Sequence, residues 1–361
     1  MGAGHTPPSM LSRFFHWWER RLAASTTDRV VRPFEWGLEW AGTNGHGPDT
    51  DPEQVLAEWA DLAVANSEEF FATPPTSDYT LLDGWAPAPE RGRTLVFPSA
   101  YATPHAENNS VYARYFPAPH RRSRDGRPSP RRGVVVLPQW NADPEGHVAL
   151  CGLLARAGVS ALRLSLPYHD QRMPPELHRA DFIVSSNVAR TVQVCRQAVM
   201  DARRAIAWLA GQGYDRIGIL GTSLGSCLAM LTTAHEPLIR AQALNHVSAY
   251  FADVVWEGLS TEHVRAGLES TIDLDRLRRL WLPISPYSYV DRVRHARTLL
   301  VYARYDLTFP VHLSLRLINE FRRRQVPFEL AVLPCGHYTT GIAPFKYLDG
   351  YALIRFLRAN L

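Results

Sequence analysis

The chain has 361 residues, enough for one large domain, and its hydrophobic content of 46% excludes wholesale disorder. A net charge of +4, from 39 basic and 35 acidic residues, is too balanced to indicate a nucleic-acid-binding surface. No apolar run approaches the roughly 20 residues that a transmembrane helix requires, and the first residues lack the pattern of a secretory signal peptide.

Cysteine usage favours a reducing compartment. The cysteines are scattered and show neither a C-x-x-C pair nor the spacing of a metal site. Three of them lie within apolar helical patterns, which is typical of reduced core residues. We therefore expect a soluble, cytoplasmic protein. The four cysteines are Cys151, Cys195, Cys227 and Cys335.

Residues 1–92 predict a helical, aromatic-rich extension that packs on the core. A second helix in it begins at Asp51-Pro52-Glu53, with an Asp N-cap before a proline, and runs to about Phe71. The first helix is amphipathic and most often such a helix packs on its own domain, although it can also lie on an anionic membrane. Peripheral membrane contact thus stays an alternative. Its apolar face comprises Leu11, Phe14, Phe15, Trp18 and Leu22.

From Thr94 onward, short β-type runs alternate with helical patterns, which predicts a mostly parallel, twisted sheet with helices on both faces. The run at 133–137 is continuously apolar, as in a strand buried on both faces. A long helix from Val188 to Leu209 has apolar residues in alternating steps of four and three. The predicted strands cover residues 94–97, 111–116, 133–137, 159–164, 217–220, 242–246, 298–303 and 328–333.

Two segments depart from this alternation. Residues 117–132 contain six arginines among Pro, Ser and Gly, and predict an exposed loop. Residues 247–296 are longer than a simple crossover and have a mixed helical pattern, which predicts a helical lid. The predicted organisation is therefore the extension at 1–92 and an α/β domain at 93–361 that contains the lid.

The stretch from Ile217 to Leu231 predicts a nucleophile. A β-type run leads into Gly221-Thr222-Ser223-Leu224-Gly225, and a helical pattern follows. This strand, tight turn and helix are the context that a G-x-S-x-G nucleophile elbow requires. Ser223 would then lie at a helix N-terminus, where free N–H groups favour an anionic intermediate.

A serine hydroxyl needs a base, and the base needs an orienting acid. Such groups collect at the carboxyl ends of parallel strands. Asp306 lies three residues beyond the strand at 298–303, and His337 lies four beyond the strand at 328–333. The order Ser, Asp, His predicts a catalytic triad of Ser223, Asp306 and His337.

Other residues compete for these roles. His169 and His246 each follow a strand and predict substrate contacts; either is a weaker candidate for the base. Asp253 is a weaker candidate for the orienting acid. Cys335 lies two residues from His337 but has no base in reach, so a buried thiol is favoured over a nucleophile.

Together, three motifs resemble the α/β-hydrolase superfamily of serine hydrolases over residues 94–361. They are GTSLG at 221–225, YARYDLTFP at 302–310 and LPCGHYTTG at 333–341. The run PYHDQRMP at 167–174 is also loosely similar to a Pro-Tyr-Tyr-Gly-x-Arg-x-Pro motif of the α/β-hydrolase-domain type 18 subgroup, with His-Asp in place of Tyr-Gly. The resemblance implies the α/β-hydrolase fold.

The resemblance also implies an oxyanion hole with two backbone donors. One maps to the N–H of Leu224, after the nucleophile. The other maps to the loop Pro138-Gln139-Trp140-Asn141, where the family often has His-Gly. Proline has no N–H, so Gln139, Trp140 and Asn141 stay open as donors, and we favour Trp140.

These residues predict a serine hydrolase that cleaves a carboxylic ester through an acyl-enzyme on Ser223. The chemistry implies no metal and no organic cofactor. The predicted substrate is a small-molecule or lipid-like ester. The alternatives are a peptidase or thioesterase with the same triad, and a non-catalytic scaffold that binds a partner through the aromatic extension.

Overall fold

The computed structural model describes residues 9–42, 50–84, 92–119 and 130–361. Within these ranges one sheet of nine strands runs in the order β1-β2-β3-β5-β4-β6-β7-β8-β9. The strands are β1 Thr80–Asp83, β2 Arg93–Pro98, β3 Ser110–Phe116, β4 Arg132–Leu137, β5 Ser160–Leu164, β6 Arg216–Thr222, β7 Ile239–Asn245, β8 Arg297–Ala303 and β9 Glu329–Leu333.

Strand direction divides the sheet into two parts. The pairs β1–β2, β2–β3 and β3–β5 are antiparallel, and all pairs from β5 to β9 are parallel. The carboxyl ends of β4, β6, β7, β8 and β9 therefore meet at one edge, where loops can bring distant side chains together. The sequence predicted this mostly parallel sheet, and the structure confirms it.

Helices cover both faces of the sheet. In β4, Val135 and Leu137 face one hydrophobic core while Val134 and Val136 face another, as the alternation of a strand requires. The helices are α1 Met10–Ala24, α2 Pro52–Ala65, α3 Ser67–Phe70, α4 Val148–Arg156, α5 Val188–Gly211, α6 Leu224–His235, α7 Phe251–Glu257, α8 Glu262–Leu268, α9 Leu274–Leu280, α10 Val311–Arg323 and α11 Phe345–Asn360.

The long helix α5 forms for reasons visible in its sequence. The Asn187 side chain accepts a hydrogen bond from the N–H of Arg190 and so caps the first turn. The predicted stripe of apolar residues, from Val188 to Leu209, is buried along its whole length. This burial fixes α5 against the face of the sheet that α6 also covers.

The N-terminal region differs from its prediction in two details. The second helix ends at Ala65 rather than near Phe71, because Asn66 leaves the helical conformation and its side chain bonds the carbonyl of Leu62. The edge strand β1 was not predicted; only one of its four residues is even half-buried, so it carries no apolar alternation. Its pairing with β2 extends the sheet to before residue 93.

The segment after β7 is helical, as predicted for residues 247–296. It contains α7, α8 and α9, followed by 3₁₀ helices at Leu282–Ile284 and Pro286–His295.

All four cysteines are buried and unpaired. The centre of the arginine-rich segment, residues 120–129, lies outside the described residues.

Helix α1 packs beside the carboxyl ends of the strands. It buries Phe15, Glu19 and Ala23, and the Phe15 ring stacks on Tyr305 with centroids 4.6 Å apart. Tyr305 precedes Asp306, so α1 borders the predicted site. Among the helices in the described ranges, none combines the length and apolar character that would let it span a membrane.

Candidate active site

Ser223 is the single residue between β6 and α6, and its backbone is strained. It has φ 56° and ψ −121°, a backbone conformation that residues other than glycine rarely adopt. Its N–H donates to the carbonyl of Asn245 at 2.8 Å, which ties the turn to the end of β7. The side chain is therefore held above the sheet edge at the start of α6.

Two glycines flank Ser223, and both are required because backbone oxygens lie too close to leave room for a side chain. A Cβ on Gly221 would lie 2.0 Å from the carbonyl oxygen of Gly225. A Cβ on Gly225 would lie 2.3 Å from the carbonyl oxygen of Leu137, at the end of β4. The contact at Gly225 places the start of α6 directly against the loop after β4, so that loop lies beside Ser223.

Ser223, His337 and Asp306 form a chain of hydrogen bonds. The Nε2 atom of His337 lies 3.1 Å from Oγ of Ser223, and its Nδ1 lies 2.9 Å from Oδ2 of Asp306. The other carboxylate oxygen, Oδ1, accepts from the N–H groups of Thr308 and Phe309 at 2.8 and 2.7 Å. The carboxylate is thus fixed by its own turn and the imidazole is fixed by the carboxylate.

A second imidazole shares the same carboxylate oxygen. Nδ1 of His246 lies 2.9 Å from Oδ2 of Asp306, and the His246 and His337 rings are 4.6 Å apart. An ionised carboxylate only accepts, so both Nδ1 atoms carry the proton. In the neutral ring this leaves Nε2 of His337 free to accept the hydroxyl proton of Ser223. His246 has no such contact with the serine.

The pKa shifts of Asp306 and His337 suit general-base chemistry. Burial favours the neutral acid, but the two histidines outweigh it and hold the pKa of Asp306 well below its usual range. Burial would also lower the pKa of His337, but the Asp306 carboxylate outweighs it and raises that pKa above 6.5. The ionised carboxylate therefore stabilises the imidazolium that a proton transfer creates.

The competing acid and thiol are occupied elsewhere. Asp253 is fully buried and pairs with Arg278 at 2.5 Å and Arg316 at 3.1 Å. Cys335 is buried against Thr340, with 3.3 Å between Sγ and the hydroxyl, and burial raises the pKa of its thiol to about 11. Neither residue has the hydrogen bond to His337 that Asp306 makes.

The structure narrows the donors predicted for an oxyanion hole. Leu224 is the first residue of α6, so its N–H has no acceptor within the helix. In the loop after β4, the N–H of Asn141 donates to Nε2 of His169 at 2.9 Å and is no longer available. Gln139 and Trp140 remain, and the Trp140 indole donates to the carbonyl of Ala180, which fixes that residue.

His169 was predicted to contact substrate, but both its ring nitrogens bond the protein backbone. Nδ1 donates to the carbonyl of Pro167 at 2.9 Å, while Nε2 accepts from Asn141. Burial lowers the pKa of His169 to about 4, so the ring is neutral. This geometry gives it a part in holding the loop after β4 rather than a free group for a substrate.

Glu19 was not predicted as a site residue, yet it binds the turn after β9 that carries His337, which we call the histidine turn. It is fully buried and accepts from the N–H of Tyr338 at 2.9 Å and from the N–H and hydroxyl of Thr339 at 3.0 and 2.8 Å. A Cβ on Gly336 would lie 2.3 Å from its carboxyl carbon. A signal was present, since Glu19 lies four residues from both Phe15 and Ala23, in the centre of an apolar helix face.

Metal binding was not predicted. Among the described residues, His246, Asp306 and His337 are the one group of histidine, cysteine and acidic side chains close enough to share an ion, with ligand atoms within 4.8 Å of one another. Those atoms already form the hydrogen bonds to the Asp306 carboxylate. An ion held there would have to replace the contacts that orient His337.

No protein-family model matches the sequence, and no curated protein sequence matches it either. Solved structures do match. Acetyl xylan esterase 1 from Thermoanaerobacterium sp. is similar at 12% identity and a TM-score of 0.58, over 90% of this chain and 98% of that one. An acetyl xylan esterase from Paenibacillus sp. R4 is similar at 14% identity and a TM-score of 0.57, over 90% and 99%.

A peptidase has the same core. Acylaminoacyl peptidase from Pyrococcus horikoshii matches 70% of this chain at 13% identity and a TM-score of 0.54, and the match spans only 40% of that enzyme's length. At such identities a structural likeness shows the fold alone. Together with the sheet order and the elbow after β6, it shows that the chain has the α/β-hydrolase fold.

Proposed function

We propose that the protein is a serine hydrolase that cleaves a carboxylic ester through an acyl-enzyme on Ser223. The observation that carries this proposal is the hydrogen-bond chain from Oγ of Ser223 through the His337 ring to Oδ2 of Asp306. A binding scaffold would have no use for a strained serine aligned with an oriented imidazole. This series of hydrogen bonds therefore favours an enzyme over a non-catalytic scaffold.

Each residue has a defined role in this mechanism. His337 takes the hydroxyl proton as Oγ of Ser223 attacks the ester carbonyl, and then donates it to the leaving alkoxide. The N–H groups of Leu224 and Trp140 stabilise the negative oxygen of the tetrahedral intermediate. A water molecule then attacks the acyl-enzyme, with His337 as base, and releases the carboxylic acid. Asp306 keeps the imidazole in the required tautomer throughout.

An ester is proposed over an amide or thioester because of the extent of the structural matches. Both acetyl xylan esterases match this chain over nearly their whole length, whereas the peptidase match covers less than half of that enzyme. A peptidase or thioesterase with the same triad is the alternative. Turnover rates on matched ester, amide and thioester substrates separate the three.

The test of the catalytic assignment is covalent labelling. We expect a fluorophosphonate probe to label the wild-type protein and to leave Ser223→Ala unlabelled, because the probe reacts with an activated serine. Ser270→Ala is the matched control, since Ser270 is an exposed serine before α9. Labelling that persists in Ser223→Ala contradicts the proposal.

The exposed face of α1 supports contact with a lipid surface. Met10, Phe14 and Trp17 are 88%, 50% and 56% exposed, whereas Trp18 is half-buried and stacks on Phe15. Three exposed arginines lie around this face and complement an anionic membrane: Arg13, Arg20 and Arg21. The proposed substrate is then a lipid-like ester reached from the membrane surface.

Vesicle binding tests this surface. We expect the protein to co-sediment with vesicles of phosphatidylglycerol and phosphatidylcholine, and the double variant Phe14→Ser, Trp17→Ser to bind about tenfold less, because each ring contributes buried apolar area. Leu238→Ser is the control, since Leu238 is 47% exposed and lies before β7, away from α1. Equal binding by all three proteins would dismiss the lipid surface.

The cysteines support a cytoplasmic location. All four thiols are buried and free, and none has a partner cysteine. Burial raises the pKa of Cys151 and Cys227 to about 12 each, so these thiols stay protonated and unreactive.

A further inference from the structure

A cluster of buried polar atoms without partners lies near the proposed oxyanion loop. Both ring nitrogens of His263 are buried and unbonded, and the residue is only 9% exposed. Within the described parts of the chain, Nε of Arg29 and Nδ2 of Asn141 are likewise buried and unbonded. Buried polar atoms are nearly always hydrogen-bonded, so such a group of them calls for a ligand.

The contacts of the cluster place it beside two segments that flank Ser223. The His263 ring stacks on Trp140 with centroids 5.8 Å apart and planes within 3°. Arg29 donates from Nη2 to the Tyr338 hydroxyl at 3.1 Å, and Tyr338 directly follows the proposed base. The cluster therefore lies between the loop after β4 and the histidine turn, the two segments that flank Ser223.

Arg29 has a free positive charge here. Its neighbours are neutralised: Arg179 pairs with Asp28 at 2.8 Å, and Arg32 pairs with Asp181 at 3.2 Å. Within the described residues, Arg29 contacts the Tyr338 hydroxyl and no carboxylate. Partial burial of a guanidinium without a counter-ion costs free energy, and a bound anion would offset that cost.

The donors match one class of ligand. A guanidinium offers a planar fork of N–H groups that fits a carboxylate or a phosphate. Burial lowers the pKa of His263 to about 4, with the Asp181 carboxylate opposing the shift and Arg179 and Arg29 adding to it, so the ring is neutral and offers one N–H. The amide of Asn141 supplies a further N–H donor.

We propose that Arg29 and His263 form a subsite for an oxyanionic group, a carboxylate or phosphate, carried on the alcohol part of the substrate. This inference rests on the proposed ester hydrolysis. The alcohol part is indicated because His337 protonates the leaving oxygen, so the leaving group lies on the side of the histidine turn that Arg29 contacts. The ester would thus be recognised by a charge beyond its scissile bond.

Acetate esters with a common acyl group isolate this subsite. We compare kcat/KM for 4-acetoxybenzoate and 4-acetoxyphenyl phosphate with that for the neutral isostere 4-acetoxybenzamide. The wild type should prefer at least one of the anions by about 10- to 100-fold, the range expected for charge-assisted hydrogen bonds. The two anions separate carboxylate from phosphate recognition.

Variants separate recognition from structure. In Arg29→Gln and in His263→Phe, which keeps a ring against Trp140, the ratio of anionic to neutral kcat/KM should fall about tenfold, chiefly through KM. Arg265→Gln, an exposed arginine of α8 paired with Glu269, should keep the wild-type ratio. A wild type without preference, or variants that keep its ratio, overturns the subsite.

Equilibrium binding keeps this test independent of turnover. In the Ser223→Ala background, calorimetry should show 4-acetoxybenzoate or 4-acetoxyphenyl phosphate binding about tenfold tighter than 4-acetoxybenzamide, and Arg29→Gln should remove the difference. Anion binding without turnover or probe labelling would contradict the ester hydrolase and keep the subsite. Labelling and turnover without anion preference would contradict the subsite alone.

Discussion

Asp306→Asn is expected to lower kcat for ester hydrolysis by about 10⁴-fold. The backbone N–H groups of Thr308 and Phe309 both donate to Oδ1 of Asp306, so an asparagine must place its carbonyl oxygen there. Its NH₂ group then replaces Oδ2 and points at Nδ1 of His337. Because NH₂ only donates, the His337 ring shifts its proton to Nε2 and can no longer accept the proton of Ser223.

A control for this substitution is available in the same fold. Asp253→Asn removes an equally buried carboxylate that pairs with Arg278 and Arg316. It should lower the melting temperature while kcat stays within about threefold of the wild type, since Asp253 does not contact the triad. If Asp306→Asn retains more than a tenth of the wild-type kcat while folded, the proposed acid is wrong.

The pH profile gives the same residue a second readout. His337 acts as a base only when neutral, so kcat/KM falls as the pH drops through its pKa. The Asp306 carboxylate raises that pKa above 6.5, so the acid limb of the wild type should have its midpoint above pH 6.5. In Asp306→Asn the raising charge is gone and burial lowers the pKa, so the residual activity should extend to more acidic pH.

The three residues of the proposed triad could be located from the sequence because the pattern around each of them is local. Ser223, Asp306 and His337 each follow a strand by a few residues, and parallel strands bring their carboxyl ends to one edge of the sheet. The two glycines around Ser223 were readable for the same reason, because the elbow admits no Cβ at either position. The identification of these residues therefore needed only strand positions and chain order.

Residues that act through distant packing were not predictable in this way. His246 was expected to contact the substrate, but nothing in the sequence shows that its ring shares an oxygen of Asp306, 60 positions away. Glu19 contacts Thr339 across 320 positions. The cluster of Arg29 and His263 likewise requires the N-terminal region to meet the helical segment after β7. Such contacts depend on how elements dock, and no local pattern carries that information.

Glu19→Ala is expected to lower both stability and kcat, because it frees the turn that carries His337. The N–H groups of Tyr338 and Thr339 and the Thr339 hydroxyl would be left buried without an acceptor. Unsatisfied buried donors cost about 1–3 kcal/mol each, and relaxation of the turn reduces the sum, so we expect a loss of about 3 kcal/mol. Chemical denaturation measures this change.

The catalytic effect of Glu19→Ala follows from the position of the turn. His337 lies one residue before Tyr338, so loss of the clamp lets Nε2 drift from its 3.1 Å contact with Ser223. A displacement of about 1 Å in such a contact costs on the order of 100-fold in rate, so kcat should fall by that amount while KM changes little. Both are measured at a temperature where the variant is folded.

Two further variants serve as a control and as an intermediate case for Glu19→Ala. Arg20→Ala changes the exposed neighbour of Glu19 on the same helix and should leave stability and kcat on a soluble ester unchanged. Glu19→Gln keeps one oxygen for Thr339 but sets an NH₂ donor against the N–H of Tyr338, so it should lose stability and kcat to an intermediate extent. Wild-type kcat in a folded Glu19→Ala would mean that the histidine turn holds its own geometry and that α1 is not part of the catalytic machinery.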